Sequence, residues 1–348
     1  MNLNGVKIWC PHCRGELGWS RHDEIRCSGC GRAYPVILGI PDLRIFSDPY
    51  IGVEEDRAKA RLLAERFDDF DFERFVHFYY SVTSVVPAQH ARQYTRGLLA
   101  AASRAEDWLR SWEAVGHNGP ADSLLEIGCG TAPVLVAAKG YRRRVGVDIA
   151  MRWLIVGKKR LAAAGVDLPL ICACAEGLPF AEASFDRVVA DSVIEHVHDQ
   201  RRALAEIRRV LRPGGRIFLA TPIRLSLGPD PQTGVWAGGW LPKSWTDSVV
   251  RRQGGIPPIR RLLTIFSLRR LLLSTGFCGV RIFLPRVPPK QRAQFSPMIS
   301  FLMAAYDLVL RFPLSRYMLY LIGPLLHAVA IRNEQVERSS ERSAAATI

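Results

Sequence analysis

The sequence predicts an α/β protein, a parallel sheet covered on both faces by helices, with a small cysteine module ahead of it. Apolar runs at Ser123–Ile127, Arg144–Val147, Leu168–Cys174, Phe185–Ala190 and Arg216–Ala220 recur between helical or loop segments. Continuous apolar strands of this kind belong to sheets buried on both faces. A Gly-x-Gly turn follows the first run and an acid closes the second. Two Cys-x2-Cys pairs stand in front of all of this.

The chain has 348 residues, 48% hydrophobic and 23% charged, which suits a core domain plus a small module. Lys and Arg number 47 against 33 Asp and Glu, a net charge of +14. Such a balance attracts polyanions such as RNA or anionic lipid, and also occurs in Arg-rich proteins that bind neither. The N-terminus lacks a basic stretch followed by an apolar one, so the cytoplasm is the expected compartment. Met298–Phe312 and Tyr317–Ile331 fall short of a membrane span. They read as buried helices or as helices lying on a membrane surface, which leaves peripheral membrane contact open.

In order along the chain, residues 1–46 form the cysteine module and residues 47–120 a helical linker or cap, broken at Pro87. Residues 121–332 are the main domain, with insertions at 223–265 and 286–325. Residues 333–348 are a polar tail expected to fray. Within the main domain, Leu204, Ile207 and Leu211 share one helix face. The helix stops at Arg212-Pro213-Gly214-Gly215. Ser267–Gly276 reads as a helix, Phe277–Leu284 as a strand, and His327–Ile331 as a last, antiparallel strand.

Cys10, Cys13, Cys27 and Cys30 give two knuckles thirteen residues apart, a pattern that places four thiolates around one zinc ion. Gly15, Gly29 and Gly31 suit the tight knuckle turns. Four thiolates close the coordination sphere, so the zinc is expected to be structural. The following run, Tyr34-Pro35 to Gly39-Ile40-Pro41, resembles the zinc ribbon of the Trm112 methyltransferase activators.

After the first strand stands Glu126-Ile127-Gly128-Cys129-Gly130. Asp148 ends the next strand, eighteen residues beyond Gly130, where an acid can hold the ribose hydroxyls of an adenosine cofactor. A dinucleotide would need a third glycine where Pro133 stands. S-adenosylmethionine carries no phosphate and has no such need. With Ala175-Glu176-Gly177, Asp191-Ser192 and Leu211-Arg212-Pro213-Gly214-Gly215, the stretch from about 123 to 222 resembles the class I S-adenosylmethionine-dependent methyltransferases of the methyltransferase 11 type.

That resemblance implies a Rossmann-like, seven-stranded methyltransferase sheet. It implies that Glu126, Gly128 and Gly130 contact the methionine moiety, that Asp148 binds the ribose, and that Ile149 packs on adenine. Ala175 and Glu176 would lie beside the adenine, and Asp191 and Ser192 at the methyl-transfer end. Two positions depart from the pattern: Ala132 replaces the third glycine and Cys174 replaces an acid.

Asp191 and His196 are the candidates for proton transfer, although Glu195 and His196 also read as a helix start. Without an Asn-Pro-Pro-Tyr segment or a Pro-Cys nucleophile, the acceptor atom is expected to be an oxygen or a ring nitrogen. The expected partner is a small or lipid-linked methyl acceptor. A ribosomal or transfer RNA substrate is the alternative that the ribbon and charge favour. A non-catalytic adaptor is the third reading.

Overall fold

The computed structural model describes the chain apart from residues 4, 84–87, 117–120, 229, 231–232, 287–291, 293–296 and 334–348. The Pro87 break and the polar tail therefore lie outside the described residues. The N-terminal module opens with a two-stranded ribbon, β1 (Asn2–Leu3) and β2 (Val6–Lys7). Next come the antiparallel strands β3 (Leu17–Arg21), β4 (Glu24–Cys27), β5 (Ala33–Ile37) and β6 (Ile40–Pro41). Four helices follow: α1 (Val53–Glu65), α2 (Phe72–Ser81), α3 (Ala88–Leu99) and α4 (Ala101–Gly116).

The main sheet has seven strands. In chain order they are β7 (Ser123–Ile127), β8 (Arg143–Asp148), β9 (Leu170–Cys172), β10 (Phe185–Asp191), β11 (Leu211–Pro222), β12 (Phe277–Phe283) and β13 (Leu325–Arg332). Across the sheet they lie in the order β12-β13-β11-β10-β7-β8-β9, with β13 antiparallel to both neighbours. The Rossmann-like expectation and the antiparallel last strand are met. Strand order reverses between β7 and β10, and at such a switch point the carboxyl ends open a crevice.

Helices α5 (Pro133–Ala137), α6 (Met151–Ala163) and α4 cover one face. Trp112 of α4 is fully buried and stacks on Phe218 of β11, so this helix belongs to the core rather than to a linker. On the other face lie α7 (Gln200–Val210) and α9 (Ile265–Ser274), with α8 (Lys243–Arg252) in the first insertion. The second insertion supplies α10 (Pro297–Val309) and α11 (Pro313–Ile322).

Among the described residues no helix joins β9 to β10, where a helix would ordinarily cover the sheet. The cysteine module fills that place. Ile8, Leu17, Ile25 and Leu43 share one core with Val147, Ile171 and Phe180. The module is also joined through the backbone. Leu43 donates to the Cys172 carbonyl at 2.7 Å, and Trp9 donates to that of Pro179 at 2.8 Å.

Several elements differ from the sequence reading. The third run is strand only over Leu170–Cys172. The expected helix stop at 212–215 is absorbed into β11. The irregularity lies where the pairing steps from Phe185–Leu211 to Arg187–Arg216, with Gly214 at φ +73°. Glu195 and His196 lie in a turn, not at a helix start. The helix begins at Gln200, because Asp199 caps it by accepting from the amides of Arg201 and Arg202.

Candidate functional site

The crevice is built where β7, β8 and β10 end. Glu126 is buried, and its carboxylate accepts from the Leu135 amide at 3.1 Å, next to the N-terminal turn of α5. Burial and the nearby Asp191 and Asp148 raise its pKa well above the usual range, although that amide opposes the shift. Gly128 has φ +67°, and a Cβ there would meet Val193 Cγ2 at 2.3 Å, so only glycine fits. Ala132 also adopts a left-handed conformation, φ +57°, where the resemblance expects glycine. The chain turns as the motif demands, at the expense of some strain.

Asp148 stands at the end of β8 and organises the turn. Its Oδ2 accepts from the Gly130 amide and its Oδ1 from the Ala150 amide, both at 2.8 Å. Burial dominates over these amides and lifts its pKa to about 6. Ile149 follows, and its carbonyl accepts from Arg44 at 3.1 Å. At the end of β10, Asp191 is likewise raised to about 6 by burial, against the Ser192 hydroxyl, which donates to it at 3.0 Å. Ser192 has φ +56°, a sharp turn out of the strand.

Ala175 is buried. Glu176 is not aimed as the resemblance implies. Its carboxylate accepts from the amides of His198, at 2.7 Å, and Asp199, at 3.3 Å. It thereby fastens the loop before α7. The reason is local: amides without helical partners ahead of α7 satisfy a buried carboxylate. Cys174, at the other departure, donates weakly to the Phe46 carbonyl at 3.6 Å.

His196 lies on the turn that follows β10, and its Nδ1 lies 3.3 Å from the Ile259 carbonyl. A carbonyl only accepts, so Nδ1 carries the proton and Nε2 holds the basic lone pair. Burial lowers the pKa of this ring, which keeps it neutral near pH 7. Glu195, on the same turn, is buried and accepts from the Thr221 hydroxyl at 3.0 Å. Burial raises its pKa to about 7. The loop before α9 closes this side: Arg261 donates to the Glu195 carbonyl at 2.7 Å, and Ile259 donates to the Tyr50 hydroxyl at 2.9 Å.

Sequence reasoning missed the residues that reach the crevice from the N-terminal elements. Arg160 of α6 donates to the Thr131 carbonyl at 2.7 Å and to the Leu98 carbonyl, tying the glycine turn to α3. Arg104 of α4 lies close enough for its charge to act on Asp191. The segment leaving the module carries a buried ionic network. Arg44 pairs with Asp42 and Asp56, and Arg152 pairs with Asp56 and Asp48. It fixes the start of α6 beside Asp148. The sequence carried no spacing signal for this network, because only the fold brings Arg44 and Arg152 together with Asp42, Asp48 and Asp56.

In the module, the sulfurs of Cys10, Cys13, Cys27 and Cys30 all lie within 4.8 Å of one another, and two pairs stand 3.7 and 3.4 Å apart. Tetrahedral zinc with bonds of about 2.3 Å needs sulfurs about 3.8 Å apart, so the four thiols fit that ion. All four are free cysteines, so each sulfur is available as a ligand. A Cβ on Gly15 would meet Cys27 Sγ at 3.0 Å, which explains the glycine.

Residues 125–219 match the family model of the methyltransferase domain. Over 125 residues the chain is 36% identical to a demethylmenaquinone methyltransferase of Symbiobacterium thermophilum, covering 34% of this chain and 49% of that protein. It is 37% identical over 121 residues to a ubiquinone/menaquinone biosynthesis C-methyltransferase of Bordetella avium, 32% and 46% of the two chains. The chain thus spans about half the length of these relatives. A solved S-adenosylmethionine-dependent methyltransferase of Mesorhizobium loti is 17% identical, with a TM-score of 0.46 over 66% of this chain and 100% of that one.

Proposed function

We propose that this chain is an S-adenosylmethionine-dependent methyltransferase acting on an oxygen or ring nitrogen of a small or lipid-linked metabolite. The observation that carries the reading is Asp148, set at the end of β8 beside the Gly128–Gly130 turn and at the switch point of the sheet. A carboxylate there accepts from both ribose hydroxyls, and a turn without side chains admits the methionine end. The matched methyltransferase domain supports the same assignment.

S-adenosylmethionine supplies an activated methyl group when bound. The chain supplies position. Glu126, Gly128 and Gly130 hold the methionine end, Asp148 the ribose, and Ile149 with Ala175 the adenine. Glu176 supports that wall through the loop before α7. Asp191 and Ser192 face the transfer end. An oxygen or nitrogen acceptor loses a proton as its new bond to carbon forms, and His196 Nε2 accepts it. Cys10, Cys13, Cys27 and Cys30 hold a structural zinc ion.

A second reading places the methyl on a ring carbon of a quinone precursor. The similarity to a demethylmenaquinone methyltransferase and to a ubiquinone/menaquinone biosynthesis C-methyltransferase favours it. The test common to both is calorimetric titration of the full chain, purified with zinc, with S-adenosylmethionine. Binding that Asp148→Ala abolishes upholds the cofactor site. An inert wild-type protein refutes it and promotes the adaptor reading. Supply of quinone precursors against other ring and hydroxyl acceptors, with mass analysis of the product, then separates the two acceptors.

A further inference from the structure

The net charge of this chain is not spread evenly. Residues 223–332 hold fifteen Lys and Arg against three acids, Asp230, Asp247 and Asp307. That accounts for +12 of the total +14. All three acids are held by cations of the same region: Asp230 by Arg260, Asp247 by Lys243, and Asp307 by Arg292. Arg251, Arg252, Arg311 and Arg316 are exposed.

The same region carries an apolar face that the fold leaves uncovered. Helices α10 and α11 contain no buried residue. On α11, Leu314, Tyr317, Met318 and Leu321 recur at i, i+3, i+4 and i+7, and all are exposed, Leu314 at 81%. On α10, Met298, Phe301 and Leu302 do the same, with Phe301 at 72%. The hairpin is nevertheless fastened. Tyr306 donates to the Pro285 carbonyl at 3.0 Å and Tyr320 to that of Ile282 at 3.3 Å. Leu310 between the helices is buried. One side of the hairpin is therefore anchored to the segment around β12, and the other is apolar and outward.

The hairpin also adjoins the proposed site. Leu227 donates to the Ile322 carbonyl at 3.0 Å, which joins the first insertion to the end of α11. Pro222, at the end of β11, pairs with Leu325 just beyond α11, and its neighbour strand β10 ends at Asp191. Trp236, Trp240 and Trp245 of the first insertion are all more than half exposed.

We propose that α10, α11 and the tryptophans of the first insertion dock this protein on an anionic lipid bilayer, beside the mouth of the crevice. Aliphatic and aromatic side chains enter the headgroup boundary, tryptophan prefers that boundary, and the arginine excess meets anionic headgroups. RNA would use aromatic stacking and phosphate contacts and leaves the Leu–Met stripe unexplained. This deepens the reading of a lipid-linked acceptor, because a docked site takes its substrate from the membrane. No helix among the described residues is long and apolar enough to cross a membrane, which fits surface docking.

The test is sedimentation of the full chain, without S-adenosylmethionine, with vesicles of phosphatidylcholine containing about a quarter phosphatidylglycerol, a composition that supplies the anionic surface. Leu314→Glu with Tyr317→Glu changes only exposed side chains, and circular dichroism verifies its fold. Wild-type protein is expected to sediment with the vesicles, and the double variant to bind them about tenfold or more weakly, since two buried apolar contacts become charges. Pure phosphatidylcholine is expected to retain less. Protein that stays in the supernatant overturns the proposal, whether it is a monomer, a dimer that the double variant dissociates, or bound to added RNA. Equal sedimentation of wild type and variant overturns it too. The cofactor titration is read separately, so failure of docking leaves the cofactor assignment standing.

Discussion

Leu43 donates its amide to the Cys172 carbonyl at 2.7 Å, and Asp42 forms a parallel bridge to the same residue. The segment leaving the cysteine module thereby continues the main sheet beyond β9. A module read from sequence as a small separate ribbon is, in the fold, the layer that covers the face where a crossover helix is missing. Its burial is shared with the domain, so a zinc ion held by its four cysteines would stabilise more than the module.

Chelation, or Cys27→Ser, is therefore expected to destabilise the whole protein in one transition. Losing some 3–5 kcal/mol of shared core would lower Tm by roughly 5 °C, at about 1–2 °C per kcal/mol for a chain of 348 residues unfolding in one transition. Calorimetric scanning with and without chelator reads this. A small separate transition with the main one unmoved would refute the shared core.

Asp148→Ala is expected to weaken S-adenosylmethionine binding about 100-fold or more, since two hydrogen bonds to a charged acceptor are each worth about 1.5–3 kcal/mol. Asp148→Asn is expected to recover little, because an amide offers one acceptor oxygen in place of two. Titration calorimetry at fixed pH compares the three proteins.

The same residue predicts a pH dependence. Burial lifts Asp148 to about 6, so it begins to protonate just below neutrality and then loses acceptor capacity. Affinity is expected to be flat above about pH 7 and to fall toward tenfold per unit well below pH 6, as one protonation opposes binding. A flat profile from pH 5 to 8 would contradict the ribose role.

Glu195 is raised by burial from its ordinary value near 4.5 to about 7. The folded state then binds a proton that the unfolded state releases, so stability falls as pH rises through this window. Glu195→Gln keeps an oxygen for the Thr221 hydroxyl and removes the charge. It is expected to flatten that fall and to stabilise the protein at pH 8, by an amount of order 3 kcal/mol. Urea unfolding at pH 5 and pH 8 tests it.

His196→Ala is expected to lower kcat by about 10²–10⁴ with little change in cofactor affinity, the range for losing a general base. At saturating S-adenosylmethionine, the acidic limb of the kcat profile should vanish with it. A KM effect alone would reassign His196 to holding the loop at Ile259.

Much of the site was legible in the sequence because it is local. Gly128 and Gly130 are fixed by backbone conformation and Asp148 by its place at a strand end, and both kinds of requirement can be read one residue at a time. The four cysteines were legible because ligand spacing along the chain is also local. The direction of Glu176, the reach of Arg104 and Arg160, and the clamp from Tyr50 to Ile259 were not. Each joins residues tens to hundreds of positions apart, and no periodicity encodes which distant partner will satisfy a buried charge or donor.

By itself, then, the sequence determined the strand-forming runs, the turn conformations and the spacing of the four cysteines, since these rest on side-chain chemistry and backbone sterics over a few residues. Only the tertiary structure decided that the cysteine module replaces a helix on the sheet and that α10 and α11 turn their apolar stripes outward. Both depend on which surfaces remain uncovered after the core has closed, and that is a property of the whole packing rather than of any segment.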